Sequence, residues 1–486
     1  MIRSAAILCP AVLGLVLTTG CAQVPKQGGF EDVRQVVAER ADYRIHWNQG
    51  LPEDRQVEEA IDALLREELT PEAAVQIALL NNPALQAAYE NLGITQADVV
   101  EAGLLENPAI FGQARFPDKP PSGTNLDLGI VQNFLNILML PARKKIAALQ
   151  FEEVKARVAD TVLRLAAETE VGYYNALAAT NIRQMRKQIA EAAGASYEFA
   201  GRLYAAGNIS DLDLANEQGL YEDARIALAE SETRLISARE NLTRLMGLWG
   251  HRTAWTIPSQ LPDIPADELP LERLETLAVE KRSDLEAARR EVEVMAQALG
   301  TTVAWRWIGK AEVTVSGEKD TDGQWVVGPG LIIELPIFNQ RQADIARGEA
   351  RLRRSVNELT ALAVGIRSEV RSLRDRLIMQ RRLIEHYKRV IMPLRERIVE
   401  LTLQQYNYML VGTFDLLMAK HQEFETYQKY LEAVRDYWIT RAELRRAVGG
   451  SLPTPESAGE LSQELVPEVP PDAASGRGLT HSHGSH

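Results

Sequence analysis

The chain has almost no cysteine: Cys9 and Cys21 are the only two in 486 residues. No disulfide framework can form, so packing and assembly must hold the fold. Proline is missing where it would interrupt most. None occurs between Pro141 and Pro258, and Pro393 stands alone from Ile337 to Leu452. Basic excess is missing too. A net charge of -13 with no basic patch argues against a nucleic-acid partner. The seven histidines are scattered, and there is no Gly-rich phosphate loop, no HExxH and no Cys/His ligand cluster. These absences read as a protein that is not an enzyme and needs no cofactor. The apolar run from Ala5 to Leu17 is too short to span a bilayer comfortably.

That run, preceded by Arg3 and followed by Thr18-Thr19-Gly20, reads as an export signal covering residues 1–20. Gly20-Cys21 resembles the lipobox of bacterial lipoproteins, with Thr18 where a leucine is usual, and this implies acylation of Cys21. Ordinary cleavage leaving a free thiol is the alternative. Residues 21–68 are expected to form a lipid-anchored extension, first extended and then a short helix.

What the chain does contain is a repeat about 200 residues long. The segment Ile77 to Ala88 is echoed by Leu277 to Ala288, and Leu242 to Gly247 by Leu444 to Gly449. Leu203 to Leu212, around Gly207, is echoed by Tyr408 to Leu416, around Gly412. The first repeat is placed at residues 69–250, a linker at 251–269 and the second repeat at 270–450. Residues 451–486, rich in Pro, Ser, Gly and Glu and ending in histidines, read as a disordered tail.

Each repeat has the same local code. Thr70-Pro71 supplies an N-cap and a proline at the first helical position, and Asn82-Pro83 breaks that helix before another from about 84 to 105. Period-two alternation then marks strand pairs at about 108–134 and 311–335. Ile110, Gly112 and Ala114 alternate with Phe111, Gln113 and Arg115, and Ala311, Val313 and Val315 with Glu312, Thr314 and Ser316. Trp305, Trp307 and Trp325 flank the strands, as in an interfacial aromatic girdle. Proline-free stretches follow. One from Ala142 to Ala206 makes a helix of about 65 residues, roughly 100 Å long. Gly207 and Gly412 are expected to reverse the chain at the tips of two long helical hairpins.

Four strands in two hairpins cannot close a barrel, and open edges are intolerable in lipid. Strands that span a membrane must therefore be pooled by several chains; the alternative is soluble hairpins packed on helices. With this order, the segments Asn82-Pro83-Ala84-Leu85, Glu106-Asn107-Pro108, Leu140-Pro141-Ala142-Arg143 and Leu335-Pro336-Ile337-Phe338 resemble the TolC-like outer membrane efflux family over roughly residues 60–450. The resemblance implies a mainly α fold with a membrane β-barrel. Three chains would each give four strands to a twelve-stranded barrel, continued by a long periplasmic α-helical barrel. It also implies a homotrimer in the outer membrane of a Gram-negative bacterium, meeting a periplasmic adaptor and, through it, an inner-membrane pump. The heavy-metal efflux subgroup is the nearest in appearance. A periplasmic adaptor or a non-transporting coiled-coil lipoprotein scaffold is the rival reading.

Candidate sites follow. Asp211, Asp213 and Asp415, just past the tips, would each form a ring of three carboxylates in a trimer, a periplasmic gate favouring cations; helix capping is the plainer role. Leu203, Tyr204, Gly207, Val411 and Gly412 match the family's adaptor-docking tips. Glu312 and Glu334 are placed in the barrel lumen, with solvation of a polar face as the plain alternative. His481, His483 and His486 are candidate metal ligands in the tail. His46, His251, His386 and His421, like Tyr173 and Tyr174, read as packing or surface residues.

Overall fold

A computed structural model describes residues 24–121, 123–265 and 273–452. Cys21 and the histidines of the tail, His481, His483 and His486, lie outside the described residues.

The two repeats are visible as two passes through the same order. Helices α1 (Phe30–Ala41) and α2 (Pro52–Leu64) precede α3 (Pro71–Asn81), α4 (Pro83–Ala102), β1 (Ala109–Arg115), β2 (Asn125–Asn133), α5 (Phe134–Ala205) and α6 (Asp211–Leu245). The second pass is α7 (Leu274–Lys281), α8 (Ser283–Ala304), β3 (Ala311–Lys319), β4 (Trp325–Ile333), α9 (Gln342–His386), α10 (Met392–Asn407) and α11 (Thr413–Ala447). A π-helical turn, Tyr387–Ile391, joins α9 to α10 just ahead of Pro393. There the proline ring removes a backbone donor and disturbs the regular ladder.

Helix α5 is 72 residues long, about 108 Å at the α-helical rise. It starts earlier than the sequence implied, so Leu140-Pro141 lies inside the helix and is not a strand-to-helix junction. Asn133 supplies the reason: its side chain caps the Asn136 amide directly after β2. Only the second pass keeps a non-helical junction, at residues 334–341. The region before Thr70 also differs from expectation. It is two helices rather than an extended segment and one, and Phe30, Val33, Val37, Ile45 and Trp47 are buried in the core. Trp255, in the segment read as a linker, is buried as well.

The Asn82-Pro83 break ties the first repeat shut. Asn82 Oδ1 accepts from the Ala84 and Leu85 amides at 2.9 and 3.1 Å, and its Nδ2 donates to the Leu245 carbonyl at 2.8 Å. Asn81 donates to the carbonyls of Met246 and Gly247. Gly247 sits at φ +67°, where an added Cβ would lie 2.7 Å from the Asn81 carbonyl oxygen. Gly449, at φ +95°, packs the same way against Lys281. In the second repeat Arg282 stands where Asn82 stands in the first. It is 7% exposed and bonds Asp284 and Glu369 at 2.7 and 2.6 Å. Each repeat has its own apolar core. The cores meet around Leu261 and Trp438, whose indole stacks on Tyr174 at 5.4 Å. Tyr173 donates its hydroxyl to the Leu69 carbonyl, so both tyrosines are packing residues, as the sequence implied.

Asn82→Ala removes a helix cap and leaves the Leu245 carbonyl without its donor, so it should lower unfolding stability by about 2–3 kcal/mol. Urea titration followed by far-ultraviolet circular dichroism measures it.

Candidate functional site

The four strands form a single open sheet in the order β1-β2-β3-β4, antiparallel throughout. The register aligns the two hairpins. Ile110 pairs Ile130, Ile130 pairs Val315, and Val315 pairs Pro329. Because side chains alternate faces, this line fixes one face across all four strands. That face carries Ile110, Leu126, Leu128, Ile130, Val313, Val315, Val327, Leu331 and Ile333. The opposite face carries Gln113, Arg115, Asn125, Asp127, Asn133, Glu312, Thr314, Ser316 and Glu318. Glu312 therefore belongs to a face that is mostly polar on β1 to β3 and gives way to Val326 and Ile332 on β4, and Asn125 bonds Glu318 across it at 2.7 Å. Glu334 lies one residue past β4, where its carboxylate accepts from the Lys310 amide at 3.2 Å and closes the base of the sheet.

The apolar face is bare. Ile110 is 81% exposed and Leu331 64%. Trp325 stands at the turn end of the sheet and Trp307 at the helical end, both exposed. Among the described residues, no helix is long and apolar enough to cross a membrane. Among the described residues, the sheet gathers many of the exposed large apolar side chains onto one surface.

At the far end of the long helices, the two tips share one backbone design, in a register three residues different from the sequence reading. At the end of α5, the Gly207 amide bonds the Tyr204 carbonyl and the Asn208 amide that of Leu203, both at 2.9 Å. At the end of α10, the Met409 amide bonds Tyr406 and the Leu410 amide bonds Gln405, again at 2.9 Å. The partner of Gly207 is therefore Met409, not Gly412. Gly207 has φ +73° and Met409 φ +59°, the left-handed residue that ends the helix. Gly412, expected to reverse the chain, has φ -84° and is instead the N-cap of α11, matching Ser210 on α6.

The aspartates follow from that pairing. Asp213 and Asp415 are equivalent residues, each in the third helical position. Asp213 accepts from the Ser210 amide at 3.0 Å and the Ser210 hydroxyl at 2.7 Å. Asp415 accepts from the Gly412 amide at 3.0 Å. The bonds from Ser210 hold the Asp213 carboxyl below the usual carboxylate range. Asp211 falls in the first turn, where it complements the helix N-terminus. Leu203 and Tyr204 close α5, and Tyr204 is exposed; Val411 precedes the Gly412 cap. On the second tip Tyr408, Met409 and Leu410 are all open to solvent, Met409 at 93%.

The tips lie at one level. Glu217 on α6 and Leu417 on α11, four and two residues beyond those aspartates, line the same apolar cavity of about 230 Å³ with Ile189, Leu220 and Phe424. Glu217 is 4% exposed and accepts the Ser196 hydroxyl from α5 at 3.0 Å. Burial pushes its carboxyl above the ordinary glutamate range, against the opposing Ser196 bond and with help from Asp213. Lys420 and His421 line the same cavity. Sequence reasoning passed over Glu217 and Met409. The spacing that separates Gly247 from Gly449 also separates Asp213 from Asp415, and extending it to the tips would have found the pairing. His46 pairs with Asp54 and His421 with Glu425, ordinary structural partners. Among the described residues, no group of three His, Cys, Asp or Glu side chains is placed to hold a metal ion.

Comparison with known proteins agrees with this geometry. Residues 74–248 match the family described as outer membrane efflux protein. The chain is 23% identical over 392 residues to the cobalt-zinc-cadmium resistance protein CzcC of Cupriavidus metallidurans, covering 78% of this chain and 90% of that one. Among solved structures, the CmeC outer membrane channel of Campylobacter jejuni aligns with a TM-score of 0.69 at 14% identity, over 89% of this chain and 94% of that one. CusC aligns with a TM-score of 0.64 at 17% identity, over 79% and 93%.

Two outcomes are expected at the tips. Met409→Gly relieves a left-handed conformation costly to a side chain and should stabilise by about 1 kcal/mol, while Gly207→Ala should destabilise by a similar amount; thermal unfolding decides. Glu217 binds its proton more tightly folded than unfolded, so its contribution to stability declines as pH rises through and above the ordinary glutamate range. Glu217→Gln should therefore raise the melting temperature at pH 7 and lose that advantage near pH 4.

Proposed function

Because residues 74–248 match the outer membrane efflux protein family, whose members are not enzymes, we propose that the chain belongs to it and is the outer-membrane exit duct of a tripartite efflux system. Three copies pool their sheets into a closed barrel, and the long hairpins continue it as a tube through the periplasm. The duct does no chemistry. Its substrates arrive from an inner-membrane pump through a periplasmic adaptor that meets the hairpin tips around Leu203, Tyr204, Gly207, Val411 and Gly412.

One observation carries this reading: an apolar face that runs across four strands, interrupted only by Gln132 and Lys319, opposite a face that is mostly polar on β1 to β3, with both outer edges unpaired among the described residues. A soluble adaptor or coiled-coil scaffold would leave that face in water at great cost. In lipid it is covered, and edge-to-edge closure satisfies the backbone. Asp127, Glu312 and Glu318 then face the lumen against one Arg115, which favours cations over anions. CzcC is a cobalt-zinc-cadmium resistance protein, and we extend that cargo class, divalent metal cations, to this duct. Asp213 and Asp415 become rings of three carboxylates at the periplasmic mouth. Acylation of Cys21 would add an anchor at the membrane face.

The purified protein should crosslink as a trimer and conduct in planar bilayers, which neither an adaptor nor a scaffold would do. Replacing Asp213 and Asp415 together by Asn keeps acceptor oxygens for the caps and removes the charge. Cation-over-anion selectivity in the bilayer should fall; an unchanged reversal potential in a salt gradient would remove both residues from the gate.

A further inference from the structure

Strand β4 has a proline at its centre, in the run Gly328-Pro329-Gly330. The direction of its missing donor follows from the ladder. The Asp320 amide bonds the Gln324 carbonyl at 2.8 Å at one end of the hairpin, and the Glu334 amide bonds the Lys310 carbonyl at 2.9 Å at the other. The pairs between run without a bulge. Hydrogen-bonded pairs alternate with non-bonded ones in an antiparallel ladder, so the bonded pairs fall on even-numbered residues. Val315 and Pro329 form a non-bonded pair, and the Pro329 nitrogen points away from β3 to the open edge. Among the described residues this costs nothing, because β4 has no second neighbour there. Strand β2, the matching strand of the first repeat, carries no proline; it is flanked on both sides, where a proline would break a ladder.

In the trimeric barrel proposed above, on which this inference rests, the open edge of β4 is where β1 of a second copy must pair. We propose that each seam between copies lacks one backbone hydrogen bond at Pro329, which makes the seams the weakest ladders of the barrel and the place where it comes apart. Strand β4 has nine residues and β1 seven, so any contiguous pairing of five or more positions covers the centre of β4. Gly328 and Gly330 have no side chain to replace the donor. The carbonyl facing Pro329 on the neighbouring β1 must be satisfied by water or a side chain from the lumen.

Pro329→Ala restores the donor three times per trimer. The test is dissociation of the purified trimer in SDS, followed by gel against temperature and against time. The variant should dissociate at a higher temperature and roughly ten- to a hundred-fold more slowly at fixed temperature. Pro329→Gly should move the same way, and Val327→Ala, whose amide already faces the seam, should not. A proline that merely stiffens β4 gives the opposite sign, because its removal frees the unfolded chain. Trimers of wild type and both variants that dissociate alike, or variants that dissociate earlier, overturn the proposal. If wild type gives no trimer by crosslinking, the duct reading itself has failed.

Discussion

Backbone groups that have no partner inside the chain govern this structure. A four-stranded sheet leaves the outer edges of β1 and β4 open, and beside those edges lies a bare apolar face. In water the face is costly; in lipid the edges are. In the proposed duct, closure with further copies inside a bilayer removes both costs at once. In that duct the helices answer to the same constraint, because they must leave the sheet on one side and stay out of the hydrocarbon. Asn133 starts α5 immediately at the end of β2. Glu334 closes the base of β4 by holding the Lys310 amide.

Duplication supplies the geometry that closure needs. Each repeat contributes one strand pair and one long hairpin, and the two cores join through Trp438 and Leu261. The joints differ in chemistry and in the helix they reach. Asn82 ties α4 to the end of α6 with neutral bonds, whereas Arg282 in the second repeat pairs with Asp284 at the start of α8 and ties it to Glu369 on α9. Gly247 and Gly449 let the chain pass close to each joint. At the tips the pattern is again shared, with Ser210 and Gly412 as caps and Asp213 and Asp415 as their equivalent acceptors.

The strands and their faces were legible in the sequence, because alternation of Val313 and Val315 with Glu312 and Thr314 states the period directly. Which strand neighbours which was not. The pairing of Leu126 with Lys319 joins the two repeats, and no local pattern encodes it. The tips were misread because glycine was taken as the sign of the turn; Met409 holds the left-handed position without being one. The start of α5 was placed late because Pro141 looked like a boundary, while a cap eight residues earlier decided it. Glu217 was missed since a carboxylate on a polar helix gives no sign of burial until α5 and α11 cover it.

The central claim is that the register of the sheet divides its side chains between lipid and water. Single cysteines at Val315 and Thr314, adjacent residues on opposite faces, test it in the reconstituted protein. A fluorophore on residue 315 should be quenched by brominated lipid and shielded from a water-soluble quencher, and on residue 314 the two responses should reverse. Equal access of the water-soluble quencher to both positions, with no quenching by brominated lipid at either, would contradict the account.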